Sequence, residues 1–375
     1  MGITVIRGAD WVIAWDAAAR RHVYRRCIDV AFEGATLTHV GPGYGGPADT
    51  IIDGAGRMVM PGLVNAHAHP GHEPAYRGIR EEHGVRAMYM TGLFERSQAY
   101  AVTDREGRAA ATELAYCELL RSGVTSVVDI GPAWEGWSEL AAKSGLRAFL
   151  APGFASARWK LENDFELKYD WDEPAGRRRF EAALALIDGL PKHAGGRLSG
   201  VVAPMQIDTC SEALLRESFA AAQQRKLPFT VHIAQGVSEV LEVIRRHGMT
   251  PVQWAAQLGI LAPGTILGHA IFIDTHSWVR WWTRQDLELI GGHGCTVAHC
   301  PTPFARYGHM LESFGEYLRA GVNMGLGTDT SPHNLLEEMR TASSLARIAA
   351  RDIHSVSLAD LLHAATLGGA NALRR

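Results

Sequence analysis

The stretch Asp53-Gly54-Ala55-Gly56-Arg57-Met58-Val59-Met60-Pro61-Gly62-Leu63-Val64-Asn65-Ala66-His67-Ala68-His69 decides how the rest of the chain is read. Up to Met58 the sequence is a series of short β-rich runs broken by turn residues. From Val59 to His67 it reads as an apolar strand, and it closes on histidines at i and i+2. That spacing puts two side chains on one face of a strand, where they can bite a single ion.

Working back from this stretch, Ile3-Thr4-Val5-Ile6, Trp11-Val12-Ile13, Ile28-Asp29-Val30-Ala31-Phe32 and Leu37-Thr38-His39-Val40 read as strands, punctuated by Gly8, Glu33-Gly34 and the 41–47 stretch. Residues 1–58 are therefore expected to form a small β-sheet unit. Working forward, strands are expected at Val59–His67, Val124–Ile130, Leu146–Leu150, Gly200–Ala203, Phe229–Ile233, Thr265–Leu267, Cys295–Ala298 and Asn323–Gly327. Helical stretches such as Arg105–Arg121, Arg177–Leu190, Glu212–Arg225 and Val237–His247 lie between them. Eight βα units over residues 59–375 predict a parallel (β/α)8 TIM barrel. No Gly-x-Gly-x-x-Gly follows the first strand, which argues against a dinucleotide-binding sheet.

Catalytic groups of such barrels project from the C-terminal ends of the strands. The first strand ends in His67-Ala68-His69, the fifth runs into His232, the sixth into His269 and the eighth into Asp329. Alone, a strand-end histidine is usually a hydrogen-bonded structural residue. Four strands ending this way are not a coincidence of composition. Imidazoles plus a carboxylate suit zinc, iron or another first-row divalent ion with one position open for water. His22, His83, His193, His247 and His363 fall in turns or helices and are expected at the surface.

Composition narrows the class further. Of 375 residues 47% are hydrophobic and 21% charged, with Lys and Arg numbering 37 against 40 Asp and Glu. The net charge of −3 offers no general attraction to phosphate backbones or anionic membranes, so neither a nucleic acid nor a membrane is an expected partner. Arg177-Arg178-Arg179 reads as a solvated helix face. Five scattered cysteines without a C-x-x-C pair oppose a disulfide framework. No leader or spanning segment is apparent, Met1-Gly2 lacks the Ser or Thr that acylation needs at Ile6, and a cytoplasmic protein is expected, with a homo-oligomer compatible. The H-x-E and P-C-x-x-C motifs of nucleic-acid-editing zinc deaminases are absent.

The opening stretch is joined by Arg77-Gly78, Thr209-Cys210-Ser211, Gly268-His269, Ala298-His299-Cys300-Pro301, Gly327-Thr328-Asp329, and Ala365-Thr366 before Gly369-Ala370. With these motifs the chain resembles the amidohydrolase superfamily, in its cytosine deaminase, guanine deaminase and triazine hydrolase branch, over nearly its whole length. The resemblance implies a barrel plus a small β-sandwich to which residues 1–58 contribute. It implies His67, His69, His232 and Asp329 as ligands of one divalent ion, with zinc the first choice and iron the second. It implies His269 as a near ligand that contacts the attacking water or the substrate, and Asp329 as the base. His299 would contact the substrate or a ligand, or be a buried structural residue.

Two departures from the family pattern bear on the chemistry. Binuclear members carry a Lys or Glu near the end of the fourth strand, where this chain reads Ala203-Pro204-Met205-Gln206-Ile207-Asp208, so one ion is expected. Deaminase members carry His-x-x-Glu after the fifth strand, whereas this chain has His232-Ile233-Ala234-Gln235. Glutamine hydrogen-bonds but does not titrate, which argues against ring deamination by the usual route. The expected activity is hydrolysis of a C–N bond in a small amide, urea, carbamate or amidine. The alternative is a deaminase or dechlorinase of a nitrogen heterocycle, and a non-catalytic scaffold would have lost part of the ligand set. Gln206, Met205, His299 and Trp134 are the expected substrate contacts, with Trp137, Trp159 and Phe154 as further aromatic candidates. The chain stops at Arg374-Arg375, where relatives continue with strands, so the sandwich is expected to lack partner strands.

Overall fold

The computed structural model describes residues 2–72, 86, 94, 104–162, 164 and 166–374; the Arg77-Gly78 motif and His83 lie outside them. The chain divides into two compact units, Met1–Gly62 and Leu63–Arg375.

The first unit is a five-stranded sheet in which β1 (Ile3–Asp16) pairs antiparallel with β2 (Arg21–Glu33) and β2 with β3 (Thr36–Gly41). β4 (Thr50–Asp53) and β5 (Met58–Val59) run parallel to β1. The two runs expected at Ile3–Ile6 and Trp11–Ile13 are one strand, bent by a bulge between Ile6 and Ala9. Gly8 takes φ +64° in the bulge, a left-handed value that glycine adopts without steric cost. Asp29 accepts hydrogen bonds from the Gly8 N–H at 2.7 Å and the Tyr44 N–H at 2.8 Å. Val5, Ala9, Val12, Ile28 and Val30 are buried. Among the described residues this unit is a single sheet rather than a closed sandwich.

The second unit is the barrel. Its strands are β6 (Leu63–Ala68), β7 (Val124–Gly131), β8 (Arg147–Phe154), β11 (Leu198–Gly200), β12 (Ala203–Pro204), β13 (Phe229–Ile233), β14 (Thr265–His269), β15 (Thr296–His299) and β16 (Asn323–Leu326). β6, β7, β8 and β11 pair in parallel, with β12 also on β8, and β13 to β16 form a second parallel run. The bridges Ala68↔Asp329, Val202↔Phe229 and Gln206↔His232 close the ring. The fourth barrel strand is thus one strand interrupted between β11 and β12. The first begins at Leu63 rather than Val59: Met58–Val59 is spent on β1, and Pro61 has no N–H to give a ladder.

Three helices match their expected spans: Arg105–Arg121 capped by Asp104, Glu212–Arg225 capped by Ser211, and Val237–His247 ended by Gly248. The helix expected at Arg177 starts earlier, at Glu173, because Asp172 caps it and Pro174 fits its first turn. A buried cluster including Val64, Ala66, Val128, Ile130, Phe149, Ala151, Val201, Ala203, Ile266 and Ala298 links the barrel strands, joined by Ala372 and Leu373 of the last helix. A hairpin, β9 (Ala157–Leu161) with β10 (Leu167–Trp171), is inserted after β8 and was not expected. Among the described residues no helix is long and apolar enough to cross a membrane.

Candidate metal centre and active site

β6, β13, β14 and the turn after β16 deliver five side chains to one place. His67 with His232 and His269, and His67 with His69 and Asp329, form two overlapping groups whose ligating atoms lie within 4.8 Å of one another. Asp329 Oδ1 is 3.2 Å from His69 Nε2 and 3.6 Å from His67 Nε2. The barrel closure sets this up locally. The Asp329 N–H donates to the His67 carbonyl at 2.9 Å, and the His69 N–H to the Asp329 carbonyl at 2.6 Å. His269 and Asp329 sit at φ +78° and +56°, strained values of the kind that active sites store.

The glycines before them are required. A side chain at Gly268 would come within 3.0 Å of the His67 ring, and one at Gly327 within 2.6 Å of the His67 carbonyl oxygen.

The ring nitrogens show what belongs between them. His69 Nδ1 is 2.9 Å from the Ile130 carbonyl, and His232 Nδ1 bonds the Met205 carbonyl. A carbonyl can only accept, so both protons sit on Nδ1 and the two Nε2 lone pairs face each other across 3.1 Å. Both nitrogens of His67 and of His269 are buried without a hydrogen-bond partner. Buried polar atoms are rarely left so, and a cation among the converging nitrogens would give each of these rings one partner. Burial pushes His67, His232 and His269 below the ordinary imidazole value, which keeps them neutral as ligands must be. For Asp329 burial pulls upward, but His67 and His69 outweigh it and hold the carboxyl well below the usual range. The donor set fits one divalent ion.

Gln206 and Gln235 lie beside His232: the Gln206 Nε2 amide donates to Gln235 Oε1 at 3.1 Å, and both residues are buried. His299 ends β15 with its Nδ1 buried and unpartnered, its pKa pushed down to about 3 by burial. Met205 holds His232 through its main chain, while its side chain packs against the barrel core and leans over Gly153. Trp134 is half-buried beside His72, Arg108 and Trp137, and His72 in turn stacks on His69 at 5.1 Å. The other aromatic candidates serve packing. Trp137 is fully buried and donates to Asp129, Phe154 packs on Phe180, and Trp159 donates to Asp208.

Among the histidines expected at the surface, His22 is instead buried against Trp15, because β2 turns it inward. His247 is half-buried, stacked on Trp254 at 3.9 Å; His193 and His363 are also half-buried.

Sequence reasoning missed several neighbours. Asn65 donates to Thr328 Oγ1 at 2.8 Å and accepts from the His67 and Thr328 N–H groups, and Thr328 pairs with buried His333. An asparagine inside the apolar run of the opening stretch was the available sign. Phe304 packs on His269 at 4.5 Å. Glu239 accepts the main-chain N–H groups of Ala234 and Gln235 at 2.7 and 2.8 Å.

A closed parallel barrel that gathers buried imidazoles and one carboxylate at its strand ends defines a metal-dependent hydrolase. The family model described as "Amidohydrolase family" matches residues 58–375. A 5-methylthioadenosine/S-adenosylhomocysteine deaminase of Pyrococcus furiosus is 30% identical over 349 residues, 92% of this chain and 77% of that protein. The zinc-bound adenosine deaminase of Xanthomonas campestris is similar at 25% identity and TM-score 0.76, covering 99% of this chain and 80% of the other. The zinc complex of atrazine chlorohydrolase from Arthrobacter aurescens TC1 shares the fold at 24% identity and TM-score 0.80, covering 99% and 83%.

The chain belongs to the amidohydrolase family. It is an enzyme that hydrolyses a C–N bond of a small substrate with one divalent metal ion.

Proposed function

We propose that this enzyme cleaves a C–N bond at an amidine-like or acyl carbon of a small molecule, such as an amide, urea, carbamate or amidine, with His67, His69, His232, His269 and Asp329 holding zinc. The observation that carries the reading is the convergence of His67, His69, His232 and His269 on the Asp329 carboxylate, with the ring nitrogens of His67 and His269 lacking hydrogen-bond partners. Zinc in that set supplies a Lewis acid that brings the pKa of a water toward neutrality. Asp329, whose Oδ1 lies 3.2 Å from His69 Nε2 and 3.6 Å from His67 Nε2, accepts the proton of the attacking water and returns it to the departing nitrogen. His269 and His299 face the reacting carbon, and Gln235 with Gln206 orients the substrate through hydrogen bonds.

The similarity to deaminases of adenosine derivatives supports a second reading, deamination or dechlorination of a ring. The amine-bearing carbon of an adenine ring is itself a cyclic amidine carbon, so the two readings share one attack. Zinc-loaded protein should be offered amidines, ureas, carbamates, N-acyl compounds, aminated heterocycles and chlorotriazines, with ammonia, amine and chloride measured separately. Ammonia or amine from the open-chain compounds supports the first reading. Ammonia from rings alone, or chloride alone, selects the second, and no release from any class overturns both.

A further inference from the structure

We infer that the barrel carries a second ligand site, built for a single aromatic ring that bears a hydrogen-bonding group and a cationic arm. It stands apart from the metal centre and from the reaction assigned to it.

Two adjoining cavities are lined by the segment after β14, the helix Pro301–Arg306 with the stretch that follows it, and the helix Leu335–Ala350. The smaller holds about 180 Å³ and the larger about 630 Å³, and His276, Met310 and Glu312 line both. Among the described residues no metal ligand lines either one. Phe304 packs on His269, whereas its neighbour Ala305 lines the small cavity.

The small cavity is walled by rings. The Phe272 ring lies 4.6 Å from His276, 5.4 Å from His309 and 5.8 Å from Trp278, centroid to centroid, and Leu345 adds an apolar side chain. An apolar cavity of about 150 Å³ takes one benzene ring, so this space accepts one six-membered ring. His276 is satisfied: its Nε2 pairs with the Met310 carbonyl at 3.2 Å and its Nδ1 accepts the Trp278 N–H at 3.1 Å. His309 is not. It is more than nine-tenths buried, and its Nε2 has no hydrogen-bond partner among the described residues. Such a nitrogen is rarely left alone, and a hydroxyl suits it whichever ring nitrogen carries the proton, because a hydroxyl both donates and accepts.

Charge selects the arm. Burial holds both imidazoles below the ordinary value, His309 at about 4, so the ring wall is neutral at pH 7. Among the described residues no Lys or Arg lines the small cavity. Glu312 does, where the two cavities adjoin, and its carboxylate is fixed by the Ser277 N–H at 2.8 Å and by the Ser277 hydroxyl. In the larger cavity Glu316 and Asp352 join it, facing Arg284 and Arg319, and Arg319 lies 4.0 Å from Glu316. A ring seated among the aromatic walls sends its arm past a carboxylate, which favours a cation, and aromatic faces attract the same charge.

Three probes separate these features. Tyramine carries ring, hydroxyl and ammonium, phenethylamine lacks the hydroxyl, and para-hydroxyphenylpropionate replaces the ammonium with a carboxylate. Calorimetric titration of the zinc-loaded protein should show tyramine binding about 3- to 10-fold more tightly than phenethylamine. It should bind about 3- to 10-fold more tightly than the propionate as well. His309→Phe should level the first ratio and keep the second, and Glu312→Gln should do the converse. Trp278→Ala, at a half-exposed position, should weaken all three compounds by about 3- to 10-fold. Bound zinc is measured in every variant as the check on folding. No binding of tyramine, or equal affinity for the three compounds in the wild type, overturns the inference. Tyramine binding that is unchanged by all three substitutions places the compound elsewhere and overturns it too.

Discussion

His67 belongs to both groups of converging side chains, and neither of its ring nitrogens has a hydrogen-bond partner. Buried ring nitrogens are seldom left in that state, and an ion on the converging nitrogen lowers the cost. We expect elemental analysis to find one divalent ion per chain and His67→Ala to lose it; two tightly held ions would refute the mononuclear assignment. Asp329→Asn keeps the shape of the carboxylate but cannot take a proton, and turnover should fall at least about 100-fold, the lower end of what a positioned base contributes. Undiminished turnover would remove Asp329 as the base. Gln235 offers the complementary test. Gln235→Glu should give no gain on the true substrate while opening weak ammonia release from aminated rings, judged by kcat/KM across both compound classes. A wild type that already deaminates such rings efficiently would show that another group protonates the leaving amine.

At the scale of the element, buried side chains tie down main chain that strand and helix ladders leave loose. Asp29 holds the bulge of β1 and the Tyr44 turn with its two oxygens, and the Gly8 N–H is the main cause that draws its pKa below 3.8. A depressed carboxylate stabilises above its unfolded pKa and ceases to do so as pH falls through the folded value. Asp29→Asn should therefore cost stability at pH 7, about 1–3 kcal/mol for charged hydrogen bonds in a buried setting. The gap between wild type and variant should narrow as pH drops below 3.8. Thermal melts followed through Trp11 and Trp15 at several pH values read this directly, and a gap that widens in acid would contradict it. The β9–β10 hairpin follows the same logic: cross-strand partners Trp159 and Tyr169 both donate to one oxygen of buried Asp208, at 2.8 and 2.6 Å.

For the molecule as a whole, the barrel brings four imidazoles and a carboxylate together at its closing seam, where β6 meets the turn after β16. Lone pairs aimed at one another repel, so the metal-free barrel carries strain that the ion relieves, and binding to the folded state alone adds stability by mass action. Removing the ion with a chelator should lower the melting temperature by several degrees, and one equivalent of zinc should restore it. An unchanged melting temperature in protein shown to be metal-free would mean that the cluster is held by the protein alone.

The sequence by itself determined the barrel, its strand ends and the residues that meet there. Period, turn residues and strand count are local properties, and a barrel rule converts strand ends into neighbours, so His67, His69, His232, His269 and Asp329 could be named from the order of residues alone. It did not reveal that Met58–Val59 belongs to the first sheet, since an apolar dipeptide pairs equally well with either sheet and only the presence of β1 settles which. Nor did it reveal the hairpin after β8, whose anchor Asp208 lies 39 residues beyond Tyr169. The Asn65–Thr328 bond, across 263 positions, and the Gln206–Gln235 bond, across 29, were equally hidden, because a hydrogen bond between distant residues leaves no periodicity to read. Tertiary structure alone decided which aromatics pack and which face the site: Trp137 and Phe154 are drawn into the core by Asp129 and Phe180. Burial and partner choice are set by the closed ring, and no stretch of the chain carries that information by itself.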